Sequence, residues 1–308
     1  LPVEFETQAK SEDLLAFLKQ ARVDYQNFLT TKDFQILKQI TCDKTSLVAL
    51  AVAIALDKVS KEKASIPSLK LKLSSKIPPN SGFGSSASLA SGIIGAILKV
   101  CEVDFNLEDI FNFTLELEKY QHGLPSGGDP ATVIHGGIVE FYRTDKDKII
   151  RPKPINNPEL QKLLPNSRVI YTGQPSKSTA EMVGMVAQKK QKQARVDQIF
   201  EQIEEVVEEF LKLLDKDTCS AQTYQKLIDT NGFLLEELGV VSYSVIDMSR
   251  EIRLSGGSAK MCGGGGSGQG GSGAVLAYHA DPQIIEAIAS KYGFEVYKPE
   301  LAVPGLKV

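Results

Sequence analysis

A chain of 308 residues, 42% hydrophobic and 24% charged with a formal net charge of −3, carries enough apolar side chain for one large domain or two ordinary ones. That charge balance argues against a nucleic-acid or anionic-membrane surface, and no apolar run reaches bilayer length or heads the chain as a signal peptide would. Four separated cysteines (Cys42, Cys101, Cys219 and Cys262) and three scattered histidines argue against a zinc centre or a disulfide scaffold, and fit a reducing cytoplasm.

The opening LPVEFETQAK reads as a strand. SLKLKLSSKIP (68–78) alternates Leu69, Leu71 and Leu73 with lysines, the period of a half-buried strand. Residues 85–101 read as a helix with Leu89, Ile93, Ile97 and Val100 on one stripe. A second helix starts at Asn106, where Asn106 and Asp109 form a capping pair, and fades before Gly123. Residues 136–143 and 167–173 read as strands. Helices are expected over 178–190, 195–215, 221–237 and 240–254, and again over 282–291 between strands at 274–279 and 294–299. Strands early and late around a helical middle suggest an α+β protein in two lobes.

Three stretches carry chemistry. In PPNSGFGSSASLASGIIGAIL (78–98), Gly82, Gly84, Ser85 and Ser86 stand where a strand gives way to a helix. First-turn N–H groups have no partner inside a helix and carry its positive dipole end, so glycines there let a di- or triphosphate lie against bare main chain. The serine hydroxyls suit a phosphate-bound Mg²⁺, which prefers oxygen. No GKS or GKT follows, which sets this apart from a Walker loop. The bland alternative is a serine-capped helix after a glycine turn.

In ELEKYQHGLPSGGDPATVIHGG (116–137), Pro125–Asp129 reads as a turn presenting Asp129, with Glu118 eleven residues earlier near a helix end. Two carboxylates so placed divide naturally into a cation ligand and an acceptor for a hydroxyl proton. Each, taken singly, also suits a structural role. The third stretch, SAKMCGGGGSGQGGSGAVLAY (258–278), holds eight glycines between Gly263 and Gly273 ahead of a buried-looking strand. A flexible linker is the alternative, but a loop lining a site fits better, because only about 35 residues follow it.

Together, PPNSGFGSSAS, EKYQHGLPSGGD and AKMCGGGGSG resemble the three-motif pattern of the GHMP kinase superfamily, most closely its mevalonate-phosphorylating members. The likeness extends over nearly the whole chain. The resemblance implies a two-lobed α+β fold, with an N-terminal lobe of ribosomal-protein-S5-like type (1–155), a C-terminal α/β lobe (156–308) and the active site in the cleft between them. It implies ATP as phosphoryl donor, mevalonate as acceptor, Mg²⁺ as the cation and a cytoplasmic homodimer. By the same resemblance, Pro79, Gly82, Gly84, Ser85, Ser86 and Ala87 would hold the nucleotide phosphates, and Ser86 and Glu118 would bind Mg²⁺. Asp129 would orient or deprotonate the acceptor hydroxyl, and Thr179, Gly263 and Gly264 would lie near the substrate. The family's first motif, with its assisting lysine, is expected upstream of Leu1. The rival readings are a kinase of the same superfamily acting on phosphomevalonate, a sugar or homoserine, and a non-catalytic nucleotide-binding protein.

Overall fold

The computed structural model describes residues 2–4, 10–43, 45–75, 77, 82–143 and 148–308, with 2–4 and 143 described by their backbone alone. The chain forms two compact units. The first comprises Leu1–Pro79, Gly84–Pro152 and Pro304–Val308, and the second comprises Asn80–Phe83 and Lys153–Val303.

In the first unit a short antiparallel pair, β1 (Pro2–Glu4) and β2 (Lys72–Ser74), accompanies a helical core. The helices are α1 (Ser11–Thr31), α2 (Phe34–Ile40), α3 (Ser46–Lys61), α4 (Ser85–Val100), α5 (Leu107–His122) and α6 (Gly128–His135). A strand pair, β3 (Ile138–Arg143) and β4 (Lys148–Lys153), follows. The expectation that strands dominate the early chain is thus corrected: residues 11–61 are almost wholly helical. Leu14, Leu18, Ala21, Tyr25 and Phe28 recur at helical spacing along α1, and Leu18, Ala21 and Phe28 are nearly inaccessible.

The run SLVALAVAIALDKV in α3 is apolar almost all round, as befits a helix at the centre of a bundle. Its neighbour α4 meets it with small residues, and Ala87, Ala90, Ile94 and Leu98 are fully buried. α1 lies against α3, and α5 lies against α4. The capping box expected at Asn106 is present: Asp109 N–H donates to Asn106 Oδ1 and Asn106 N–H to Asp109 Oδ2, each at 2.9 Å. The tail Pro304–Val308 belongs to this unit. Leu306 N–H donates to Ile134 O at 3.1 Å, and Gly136 (φ +67°) is so close to Gly305 that a Cβ there would overlap its backbone nitrogen.

The second unit begins with α7 (Pro158–Leu163) and β5 (Ser167–Tyr171). It continues through α8 (Thr179–Lys192), α9 (Arg195–Leu214), α10 (Ala221–Leu238) and α11 (Tyr243–Leu254). Last come β6 (Ser258–Met261), β7 (Ala274–Tyr278), α12 (Pro282–Lys291) and β8 (Glu295–Tyr297). Its sheet has the order β6-β7-β5-β8 with every neighbour antiparallel. α10 crosses β6 at Gly232, where a Cβ would overlap Ala259 O. There Asp229 accepts both Ala259 N–H and Arg253 Nε–H at 3.0 Å, and Arg253 Nη2 donates to Ala259 O at 2.8 Å, so one guanidinium ties α10, α11 and β6 together. Among the described residues no helix is long and apolar enough to cross a membrane.

Candidate active site

In the first unit two helix starts lie side by side, and both open on glycine. Gly84 precedes α4 with φ +66° and Gly127 precedes α6 with φ +99°, and neither N-cap glycine offers a side-chain acceptor, although Ser126 Oγ accepts the Gly128 N–H at 3.1 Å. Both conformations are left-handed, which glycine adopts at no steric cost. The place a Gly84 Cβ would occupy is 3.3 Å from Val133 Cγ2 and 3.8 Å from Asp129 Cβ, so a larger residue here would press on the acid. First-turn amides together carry a positive field at this spot.

The reading of 125–129 as a turn is corrected in one respect. α6 already begins at Gly128, and Asp129 is its second residue. Pro130 does not prevent this, because a first-turn position has no intrahelical acceptor for the N–H that proline lacks. Ala131 and Ile134 then bury the inner face. Asp129 is held on helical backbone and remains exposed to solvent, where a ligand can reach it.

Glu118 rises from α5 into the same region and is only 2% exposed. One carboxylate oxygen, Oε1, has no hydrogen-bond partner among the described residues. The carboxylate also takes a hydrogen bond from the Ser86 hydroxyl, but burial, assisted by the negative charge of Asp129, outweighs it and pushes Glu118 up to about 7. Surrounding protein likewise holds the Asp129 carboxyl above its ordinary range, despite its exposed surface. One turn beyond Glu118, His122 Nε2 stands 3.6 Å from Glu118 Oε2. Burial lowers this imidazole to about 4, so at neutral pH it is an uncharged neighbour rather than an ion-pair partner.

A buried carboxylate oxygen without a partner costs free energy unless something binds it. Glu118 Oε1 and the Ser86 hydroxyl are hard oxygen donors, the type Mg²⁺ selects while keeping its remaining positions for water and phosphate oxygen. The residues present therefore fit the cation.

The second unit holds the other expected residues. Gly82 (φ +79°) and Gly263 (φ +74°) meet main chain to main chain: a Cβ on Gly263 would lie 3.1 Å from Gly82 Cα, and one on Gly82 would lie 3.4 Å from Cys262 O. Phe83 beside them sets its ring edgewise to Tyr297, with centroids 6.4 Å apart. Gly264 abuts Thr179, the first residue of α8, whose Oγ1 lies 2.7 Å from the position of the missing Cβ. The glycine-rich stretch is no linker, since it joins the adjacent antiparallel strands β6 and β7.

The structure thus brings Gly84, Ser86, Glu118 and Asp129 together in one unit, and pairs Gly82 with Gly263 and Gly264 with Thr179 in the other. Ser85 opens α4 beside Ser86, while the Ala87 side chain is fully buried, leaving only its N–H for a ligand. Pro79 lies outside the described residues. Sequence reasoning missed His122 and Gly127. The first stands four residues after Glu118 on an expected helix, a spacing that places both on one face.

A model of the GHMP kinases N-terminal domain matches residues 46–137. The mevalonate kinase of Archaeoglobus fulgidus is 30% identical over 208 residues, which is 67% of this chain and 66% of that protein. The chain belongs to the GHMP kinase family. The mevalonate kinase of Bos taurus is 26% identical over 310 residues, covering 91% of this GHMP kinase chain and 75% of its own. The chain thus spans between 66% and 75% of the length of these two relatives. Among solved structures, that of L. major mevalonate kinase in complex with R-mevalonate superposes with a TM-score of 0.63 at 20% identity, over 86% of this chain and 80% of that one. Streptococcus pneumoniae phosphomevalonate kinase in complex with phosphomevalonate and AMPPNP gives 0.61 at 15% identity, over 83% and 81%. These two likenesses establish the two-lobed α+β GHMP fold.

Proposed function

We propose that this GHMP kinase transfers the terminal phosphoryl group of ATP to the C5 hydroxyl of (R)-mevalonate, giving ADP and 5-phosphomevalonate. The observation that carries the reading is the buried carboxylate of Glu118, whose Oε1 has no hydrogen-bond partner among the described residues, set beside Ser86 and Asp129 at the glycine-led starts of α4 and α6. The names of the curated relatives support the choice of acceptor. Magnesium, a cytoplasmic setting and a homodimer belong to the same reading and rest on family resemblance.

Phosphoryl transfer asks a protein mainly for placement and charge compensation. The first-turn N–H groups of α4, following Gly84, bind phosphate oxygens, and a side chain at position 84 would press on Val133 and Asp129 beside them. Glu118 Oε1 and Ser86 Oγ would hold Mg²⁺, which supplies positive charge to offset that of the triphosphate. Asp129 accepts a hydrogen bond from the acceptor hydroxyl, aims its oxygen along the line of attack and takes its proton on a carboxylate oxygen. Its raised pKa makes the carboxylate a better proton acceptor than an ordinary aspartate, provided the pH keeps it ionised. Thr179 and the Gly263–Gly264 main chain are assigned to the acceptor by family resemblance.

The test is an ADP-release assay across mevalonate, phosphomevalonate, galactose and homoserine. The proposal expects turnover with mevalonate to exceed the others by at least two orders of magnitude in kcat/KM. A preference for any other alcohol would replace the assigned acceptor, and no release with any of them would leave a nucleotide-binding protein without this activity.

A further inference from the structure

The loop Gly263–Gly273 is mostly glycine, has no apolar side chain, and would lose more backbone entropy on ordering than any other segment of its length. It is nevertheless fastened along its course. Gly266 N–H donates to Val240 O at 2.9 Å, Tyr243 N–H to Gly268 O at 3.0 Å, and the Ser244 hydroxyl to Gly270 O at 3.1 Å. Gly271 bridges Pro175 in parallel, and Thr172 and Gly273 are joined by a hydrogen bond from Thr172 N–H to Gly273 O at 2.9 Å.

One side chain of the loop is at the centre of this fastening. Ser272, 1% exposed, accepts Ser242 N–H at 2.8 Å and donates to Ser242 Oγ at 3.0 Å. Its own N–H donates to Thr172 Oγ1 at 2.9 Å, and that hydroxyl donates onward to Gly273 O at 2.9 Å. Ser242 and Thr172 are also buried, at 0% and 4%. Ser242 occupies the N-cap of α11, yet its hydroxyl makes no bond to that helix. The oxygen that would ordinarily cap α11 is instead engaged by the loop. Three segments, the end of β5, the start of α11 and the loop itself, therefore converge on one serine.

We infer that Ser272 is a positioning residue that, through the buried hydroxyls of Ser242 and Thr172, fixes the glycine loop in the register presenting Gly263 to Gly82 and Gly264 to Thr179. The inference goes beyond the proposed activity but rests on it in one respect, the placing of Gly82 and Thr179 beside the bound substrates. Removing the hydroxyl leaves the buried Ser242 N–H without an acceptor and frees a segment with no apolar anchor of its own. The loop then wanders, its Gly263–Gly264 end included, because Gly266 packs against Gly271 and Ser272, and misplacing a positioning contact weakens the hold on the acceptor.

The experiment combines hydrogen exchange of peptides spanning the loop with steady-state kinetics on Ser272→Ala in the full chain. Exchange over 263–273 should accelerate at least tenfold, and KM for the acceptor should rise severalfold. A merely structural loss would shrink the active fraction, lowering kcat with KM unchanged. Thr172→Val, which replaces the hydroxyl by a methyl of similar size, should act in the same direction and serves if Ser272→Ala does not fold. Ser258→Ala, on β6 in the same sheet, removes a buried hydroxyl that has no partner among the described residues and should alter neither readout. Wild-type exchange rates in Ser272→Ala would overturn the lock, and a loosened loop with unchanged KM would overturn its link to the reaction. Absence of mevalonate-dependent ADP release in the wild type would instead sink the functional reading, while loop exchange would still decide the lock.

Discussion

Replacing Glu118 by glutamine should make the cation-free protein more stable while crippling its use of Mg²⁺. The folded protein lifts this carboxyl from 4.5 to about 7, so the folded state binds the proton more tightly than the unfolded chain does. Between those two values the native form holds more protons, and stability therefore falls as pH rises through the window. Above pH 7 the full cost is present, about 3 kcal/mol, and at pH 5 only about 1 kcal/mol of it has developed. His122 works in the opposite sense. Its folded value is depressed from 6.5 to about 4, so the stability associated with its neutral form is lost as pH falls through that range. The two effects nearly cancel in the wild type, which should show a flat pH dependence from the pair, and the glutamine variant unmasks them. Urea unfolding followed by circular dichroism, in EDTA, should give Glu118→Gln an advantage of about 3 kcal/mol at pH 8 that shrinks to about 1 kcal/mol at pH 5. At a typical slope, the first figure is a midpoint shift of about 1–2 M. A variant no more stable than wild type at pH 8, or an advantage independent of pH, would refute the burial of an ionised carboxylate as the source.

Three further outcomes follow from the same geometry. Asp129→Asn should lower kcat by about 10²–10⁴ while nucleotide affinity, measured by calorimetry, stays within a few fold; near-normal turnover would remove Asp129 from the proton transfer. Because a proton competes with the cation at Glu118, the half-saturating Mg²⁺ concentration should fall up to about tenfold between pH 6 and 7 and level off above, and Glu118→Gln should abolish that slope. A flat Mg²⁺ requirement across this range would contradict the assignment. Gly264→Ala, at a glycine whose φ is not in the left-handed region, should fold normally yet raise the acceptor KM by roughly tenfold or more, because the new methyl would lie 2.7 Å from Thr179 Oγ1. An unchanged KM would separate Thr179 from substrate binding.

Much of this was readable from the residues alone because the signals were local. The helix at Ser85, the capping box at Asn106 and the helices from Thr179 to Leu238 announce themselves through period and caps, which depend only on neighbours in the chain. α3 was harder to read, since apolar and small residues on every side of SLVALAVAIAL leave no contrast between faces. α6 was hidden by PSGGDP, where proline and glycine announce a turn although they are also acceptable in a helix cap and first turn. At the site, Glu118 and Asp129 could be singled out by type and spacing. The isolation of Glu118 Oε1 is a tertiary property of what surrounds α5, and it has no signature in the string. The same holds for Ser272, whose partners lie 30 and 100 residues away.

The most direct measurement is a crystal structure with Mg²⁺, a non-hydrolysable ATP analogue and mevalonate bound together. The cation should sit on Glu118 and Ser86, the phosphates against the first turn of α4, and an Asp129 carboxylate oxygen within about 3 Å of the C5 hydroxyl. Phosphates seated away from Gly84–Ala87, or a C5 hydroxyl directed away from Asp129, would contradict these assignments.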